Sequence, residues 1–206
     1  MLLALALLFF AAGFFILRVD RRAAHYCREQ STRPLWRFAL TITDWAKGLP
    51  WIIAAVLFYA AARSIMAFSA ETPFLRQVSD YSLSLLASFV VASVVLHGIK
   101  IFLGRRRPRD DFEHGLYGFR YFTWQLQHDS FPSGHSMTIF CVAVVLSAIA
   151  PILAPVWLVL ATGLALTRAL LTAHFFSDVL IGAAIGIVVT RETLLIGFPQ
   201  LTPSWF

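Results

Sequence analysis

Charge is what this chain has least of. Only 14% of its 206 residues are Asp, Glu, Lys or Arg, where a soluble domain carries about 25%. That scarcity excludes an ordinary water-facing surface, and the 59% apolar content points to the bilayer as solvent. Cysteine is equally sparse. Cys27 and Cys141 are far apart and fit no metal or redox spacing, so no disulfide is expected. Cys141 sits in an apolar run and reads as a buried, inert thiol. There is no internal repeat, no low-complexity tract and no carboxylate cluster suited to a metal. A net charge of +6 would suit nucleic acid only on a soluble basic domain. Here the cations lie between hydrophobic segments, so the expected partners are the bilayer and phosphorylated lipids, and no nucleic acid.

Apolar runs near the length of a membrane span organise what remains. They cover Leu2 to Leu17, Leu49 to Met66, Tyr81 to Leu103, Ser133 to Ala150, Val156 to Leu171 and Phe175 to Ile196. The first lacks a basic lead-in and a small-residue cleavage site, so it is expected to be a retained helix. The fold class is therefore all-α: one bundle of six transmembrane helices over residues 1–206, with an interfacial active site and a motif-bearing core at about 81–196. Residues 18–48 mix Arg28, Arg33, Trp36, Arg37, Phe38, Trp45 and Lys47, which suits an amphipathic segment in the headgroup layer; an ordinary connecting loop is the competing reading. In the last run, Gly182 and Gly186 form a GxxxG pair expected to serve helix packing.

Three short runs carry the chemistry. Lys100 and Arg107, with Pro108 behind them, are two helical turns apart, and share a face if the third helix continues through them. Arg107 is suited to phosphate because its planar fork donates two hydrogen bonds to one group. Arg105, Arg106 and Arg109 read as cations snorkelling from a helix end. Pro132-Ser133-Gly134-His135 precedes an apolar run, so Ser133 is placed to cap a helix whose N-terminus favours anions. Gly134 there permits close backbone approach. Arg168, His174 and Asp178 form the third run. His174 and Asp178 are four apart, hence neighbours on a helical face. A carboxylate there fixes the imidazole tautomer and leaves the other nitrogen as nucleophile. Arg168 is separated from them by a short break. Other polar residues say less. His97 reads as a packed, hydrogen-bonded histidine, His128 and Asp129 as solvated loop, and His25 and His114 carry no signal. The long stretch from Gly104 to Phe131, with its arginines and aromatics, reads either as a cover over the site or as a connector.

In order and spacing, these runs resemble the signature of the type 2 phosphatidic acid phosphatase superfamily, which includes membrane lipid-phosphate phosphatases and, more distantly, vanadium haloperoxidases. That pattern commonly begins its third motif Ser-Arg; here it is Thr167-Arg168, which keeps the hydroxyl. The resemblance implies that His174 forms a phosphohistidine, Asp178 supports it, and His135 protonates the leaving alcohol and then activates water. Lys100, Arg107, Ser133, Gly134 and Arg168 would hold the phosphoryl oxygens. It implies no cofactor and no metal. The expected activity is removal of a terminal phosphate from a phospholipid, a polyprenyl diphosphate or lipid A. Phosphoryl transfer to an acceptor hydroxyl and a catalytically silent lipid-binding scaffold are the alternatives. Membrane orientation has two readings. The cations of residues 18–48 place the motif side in the cytoplasm, whereas the family pattern places it on the periplasmic face of a bacterial inner membrane; the second is adopted.

Overall fold

In the computed structural model, residues 1–69, 71–122 and 129–206 are described. His128, and Trp124 among the aromatics of the Gly104 to Phe131 stretch, lie outside the described residues. The chain is mostly helical. Helix α1 (Leu2–Ile16) bends by 85° into α2 (Asp20–Glu29). Helix α3 (Pro34–Ile42) and a 3-10 turn (Thr43–Ala46) lead into α4 (Gly48–Phe68). Helix α5 (Pro73–Phe102) is followed by β1 (Leu103–Arg105), α6 (Pro108–His114) and β2 (Phe119–Tyr121). Helices α7 (Gly134–Ile149), α8 (Ala154–Leu170) and α9 (Phe176–Gly197) complete the bundle.

The architecture follows from where the apolar residues face. Helix α7 is buried along nearly its whole length between α8 and α9, while α1 and α5 close on α9 from the other side. Phe140, Val144, Ile187 and Leu194 are wholly enclosed. Leu7, Phe14, Phe15, Phe58, Val94 and Val159 instead face outward. Large apolar side chains on both the inside and the outside are what lipid as solvent requires.

Six apolar helices are present among the described residues (α1, α4, α5, α7, α8 and α9), but the expectation of six spans is met only in part. Among the described residues, four helices are able by length and composition to cross a membrane, and a fifth if the bent α1–α2 pair is one span. Helix α7 has 16 residues, about 24 Å at 1.5 Å per residue, and its neighbours rather than lipid enclose it. The chain is an integral membrane protein with several transmembrane helices.

The GxxxG reading is borne out. A Cβ on Gly182 would lie 2.4 Å from the carbonyl oxygen of Ser133, and one on Gly186 would lie 2.4 Å from that of Met137. Only glycine lets α9 approach the start of α7 so closely. Cys27 and Cys141 are both buried free thiols, as expected.

One local expectation is corrected. Helix α5 ends at Phe102 and does not run on through Arg107. Gly104 instead sits in β1, which pairs antiparallel with β2, and Arg107 is the residue before α6, whose first position is Pro108. Of the two readings for residues 18–48, the helical segment fits: α2, α3 and the 3-10 turn occupy most of it, and α2 docks on α6. Arg21 and His25 bind the Asp111 carboxylate at 2.8 and 3.0 Å, and Arg28 stacks over Phe112. Burial alone would raise the Asp111 carboxyl, but hydrogen bonds from Arg21 and His25 outweigh it and hold its pKa below the usual range.

Candidate active site

All three motifs meet at one end of the bundle. The end of α5 supplies Lys100, the α6 entry supplies Arg107, the start of α7 supplies Ser133, Gly134 and His135, and the α8–α9 turn supplies Arg168, His174 and Asp178. Ser133 caps α7 as expected, its Oγ accepting from the Ser136 amide at 3.5 Å. Its own amide donates to the Asp178 carbonyl oxygen at 2.9 Å, which ties the second motif to the third. Added volume at Gly134 would meet open space, so a phosphoryl group has room against that backbone.

Helix α8 closes at Leu170, and the chain reverses through Thr172 at a φ of 54°. The amides of Ala173 and His174 both donate to the carbonyl oxygen of Arg168. This is the short break expected between Arg168 and His174, and it brings the arginine and the imidazole to the same turn. The Arg168 guanidinium is oriented by Thr43, which accepts from its Nη1 at 3.1 Å and from Thr167 Oγ1 at 2.9 Å. The buried Arg168 Nε has no acceptor among the described residues; an anionic oxygen is the kind of group that satisfies such a donor.

His174 and Asp178 do not share a helical face as neighbours in the expected way. His174 lies before α9, and Asp178 occupies the third position of that helix, where its Oδ2 accepts from the Phe175 amide at 2.9 Å. The capping role pulls the carboxylate toward the backbone and leaves it 3.9 Å from His174 Nδ1. Nδ1 lies instead 2.8 Å from the carbonyl oxygen of Ser130, whose hydroxyl donates to Asp178 Oδ2 at 2.6 Å. A carbonyl only accepts, so Nδ1 carries the proton and Nε2 holds the free lone pair. Ser130 therefore shares the orienting role that the sequence assigned to Asp178 alone. Burial, and then the cations Arg107, Lys100 and Arg168, drive the His174 pKa well below the ordinary imidazole value. The ring is neutral and lies among the cations of the first and third motifs.

Two readings from the sequence are overturned. Arg105 does not snorkel: it is wholly buried, with Nη1 2.7 Å from Asp178 Oδ1, 2.7 Å from Ser177 Oγ and 3.1 Å from Asp20 Oδ2. Asp129 is more than a solvated loop residue, because the Arg107 fork holds its carboxylate at 2.8 and 2.9 Å. Lys100 donates to the Asp129 carbonyl oxygen. His97 is hydrogen-bonded to the Ser93 carbonyl oxygen but exposed rather than packed. Sequence reasoning passed over Asp20, Ser130 and Ser177, which belong to no spacing pattern. The one signal for Asp20 was its charge beside an apolar segment in a chain with 11 acidic residues.

A cavity of about 360 Å³ opens beside this cluster, lined by Arg107, Thr172 and Ala173 on the motif side and by Arg28, Trp36 and Phe112 across from them. It is basic and aromatic, and borders α2 and α3. Among the described residues no three His, Cys, Asp or Glu side chains are grouped to hold a metal.

The PAP2 superfamily model matches residues 81–200, more than half of the chain. A lipid A 1-phosphatase of Rhizobium etli is 31% identical over 108 residues, covering 50% of this chain and 47% of that protein. A lipid A 1-phosphatase of Rhizobium johnstonii is likewise 31% identical, over 50% of this chain and 44% of that protein. The chain thus spans about half the length of the curated relatives it matches. The crystal structure of a transmembrane PAP2 type phosphatidylglycerolphosphate phosphatase from Bacillus subtilis superposes with a TM-score of 0.55 at 19% identity, covering 100% of this chain and 98% of that one. That likeness concerns the fold.

Proposed function

This chain belongs to the PAP2 superfamily, and on that footing we propose that it hydrolyses the terminal phosphate of a membrane lipid. One observation carries the reading: Lys100 and Arg107 of the first motif and Arg168 of the third surround a buried, neutral His174 whose Nδ1 is committed to Ser130. That combination holds a phosphate dianion and presents a nucleophile to it.

In the first half-reaction His174 Nε2 attacks phosphorus and the bond to the lipid oxygen breaks. His135 gives its proton to the departing oxygen. In the second, His135 removes a proton from water, the water oxygen attacks the phosphohistidine, and the P–N bond breaks to release phosphate. Lys100, Arg107 and Arg168, with Ser133 and the Gly134 amide, stabilise the equatorial oxygens. Uncatalysed hydrolysis of phosphate monoesters is so slow that accelerations reach roughly 10^21-fold, and splitting the displacement into two steps over fixed cations addresses that barrier. Asp178 supports His174, through Ser130 and through its own field.

We place the whole chain in one domain that crosses a bacterial inner membrane six times, counting the short helices α1 and α7. Its core is at about 81–196, residues 18–48 lie along the surface, and the site faces the periplasm. The lipid tail stays in the bilayer, and the headgroup enters the cavity beside Arg107. Lipid A and phosphatidylglycerol phosphate, the lipids named for the similar proteins, are the first substrates to try.

The test is phosphate release by purified protein in detergent with EDTA. Phosphatidate, phosphatidylglycerol phosphate, lipid A and a polyprenyl diphosphate would be offered to wild type and to His174→Ala. Release by wild type alone is expected. Release that survives His174→Ala removes the assignment of the nucleophile, and a phosphorylated acceptor in place of free phosphate makes the protein a transferase.

A further inference from the structure

Behind the His174–Asp178 pair lies a buried ionic cluster that the phosphatase chemistry does not itself require. We propose that Arg105 and Asp20 are positioning residues for the reaction. Arg105 holds the Asp178 carboxylate in place, and Asp20, reaching in from the surface helix α2, fixes Arg105 and the start of α9. The inference rests on the phosphatase reading above.

The geometry is closed around Arg105 Nη1 and Nη2, while its buried Nε has no partner among the described residues. Arg105, Asp20, Ser177 and Asp178 are all wholly buried. Arg105 Nη1 is shared by both carboxylates and by Ser177 Oγ, and its Nη2 donates to Tyr117 Oη at 3.0 Å. The rings of Phe175 and Phe119 lie 4.1 and 4.9 Å from the guanidinium carbon. Asp20 Oδ1 accepts from the Ser177 amide at 3.1 Å, and its Oδ2 accepts from Ser177 Oγ. Asp20 therefore caps the catalytic helix from another part of the chain, while Asp178 caps it from within.

Asp178 then has both oxygens assigned. Oδ1 faces Arg105, and Oδ2 faces Ser130 and the Phe175 amide. A buried carboxylate without a cation is strongly disfavoured in its charged form, and Arg105 is the cation in contact with it. Withdrawing Arg105 both weakens the negative field beside His174 and frees the carboxylate to rotate away from Ser130. The loss would appear in the chemical step, since none of these groups lies among the phosphate ligands.

The test compares the full-length protein in detergent micelles with Arg105→Gln, Arg105→Lys, Asp20→Asn, Asp178→Asn and the Arg105→Gln/Asp178→Asn double variant. Thermal midpoints are recorded beside kcat and KM for phosphatidate, or for whichever lipid phosphate the wild type turns over fastest. Arg105→Gln is expected to lower kcat about 100-fold with KM within about twofold, and Arg105→Lys to recover part of that loss. The double variant should be no more than about twofold slower than Asp178→Asn, because both changes disable one unit. Multiplying losses, a loss confined to KM, or a folded Arg105→Gln protein within about threefold of wild type would overturn the proposal. If Arg105→Gln does not fold, Asp20→Asn carries the test: a fall in kcat of about tenfold is expected, and an unchanged kcat refutes it. A wild type silent on every lipid phosphate removes the phosphatase reading and this inference with it, a result distinct from an active enzyme indifferent to Arg105.

Discussion

Ser130 meets His174 through its backbone, the carbonyl oxygen lying 2.8 Å from Nδ1, while its side chain reaches Asp178 at 2.6 Å. One residue thus sets the tautomer of His174 and links it to the carboxylate 3.9 Å away. Ser130→Ala keeps the carbonyl and removes the link. A hydrogen bond to a charged group contributes about 1.5–3 kcal/mol, so kcat should fall by about ten- to a hundredfold with KM little changed. Steady-state phosphate release checks this, and an unaltered kcat would show that Asp178 acts without Ser130.

The ionisation of His174 has a definite sign. Burial first, then Arg107, Lys100 and Arg168, disfavour its protonated form, so the reactive neutral ring persists as pH falls through the ordinary imidazole range near 6.5. Protonation, and loss of the nucleophile, come only at lower pH. Nitrogen-15 spectra of histidine-labelled protein, assigned by the signal missing in His174→Ala, should show a neutral ring at pH 6. Arg107→Gln removes one opposing cation and should move the titration upward. A wild-type ring half-protonated near pH 6.5 would contradict the electrostatics described here.

Asp129 competes for the guanidinium that the mechanism assigns to phosphate. Its pair with Arg107 is 2.8 Å long, and both side chains are about one-third exposed. Pairs with that access to water are worth about 0.2–1 kcal/mol. Asp129→Ala should therefore lower KM by no more than about fivefold, with kcat near wild type. A rise in KM would mean that Asp129 orients Arg107 rather than occupying it.

The two glycines of α9 separate stability from activity. In Gly182→Ala and Gly186→Ala the new methyl meets a backbone carbonyl oxygen at 2.4 Å, which no side-chain motion relieves. Each should destabilise the protein by about 1–3 kcal/mol, read as a lowered thermal midpoint. At Gly182 the displaced backbone is Ser133, beside His135, so kcat should also fall, by up to about 100-fold for a displacement near 1 Å. At Gly186 it is Met137, one turn deeper, and kcat should stay within about threefold. Equal effects on kcat would detach the helix approach from the site.

Much of the site was legible because its parts are local patterns. The Lys100 and Arg107 spacing, the Pro132 to His135 turn and the Arg168 to Asp178 run each sit at the end of an apolar segment. Hydrophobicity alone brings such ends to the same depth. The Gly182 and Gly186 pair was equally readable, since close helix approach in lipid favours small residues at that interval. Arg105 was misread because, between Arg106 and Gly104 at a helix end, it looks like any snorkelling cation. Its burial depends on Asp20 and Asp178, 85 and 73 residues away. Asp129 was read as solvated loop for the same reason: its partner Arg107 is 22 residues away.

By itself, the sequence determined the solvent, the helical class and the family. These depend on composition, on runs of apolar residues and on short-range spacing. Only the tertiary structure decided that His174 answers to Ser130 before Asp178, that Arg107 grips Asp129, and that Asp20 caps a helix 157 residues further on. Buried polar groups in a bilayer protein must find partners wherever the fold brings them, and those partners leave no trace in the spacing of the chain.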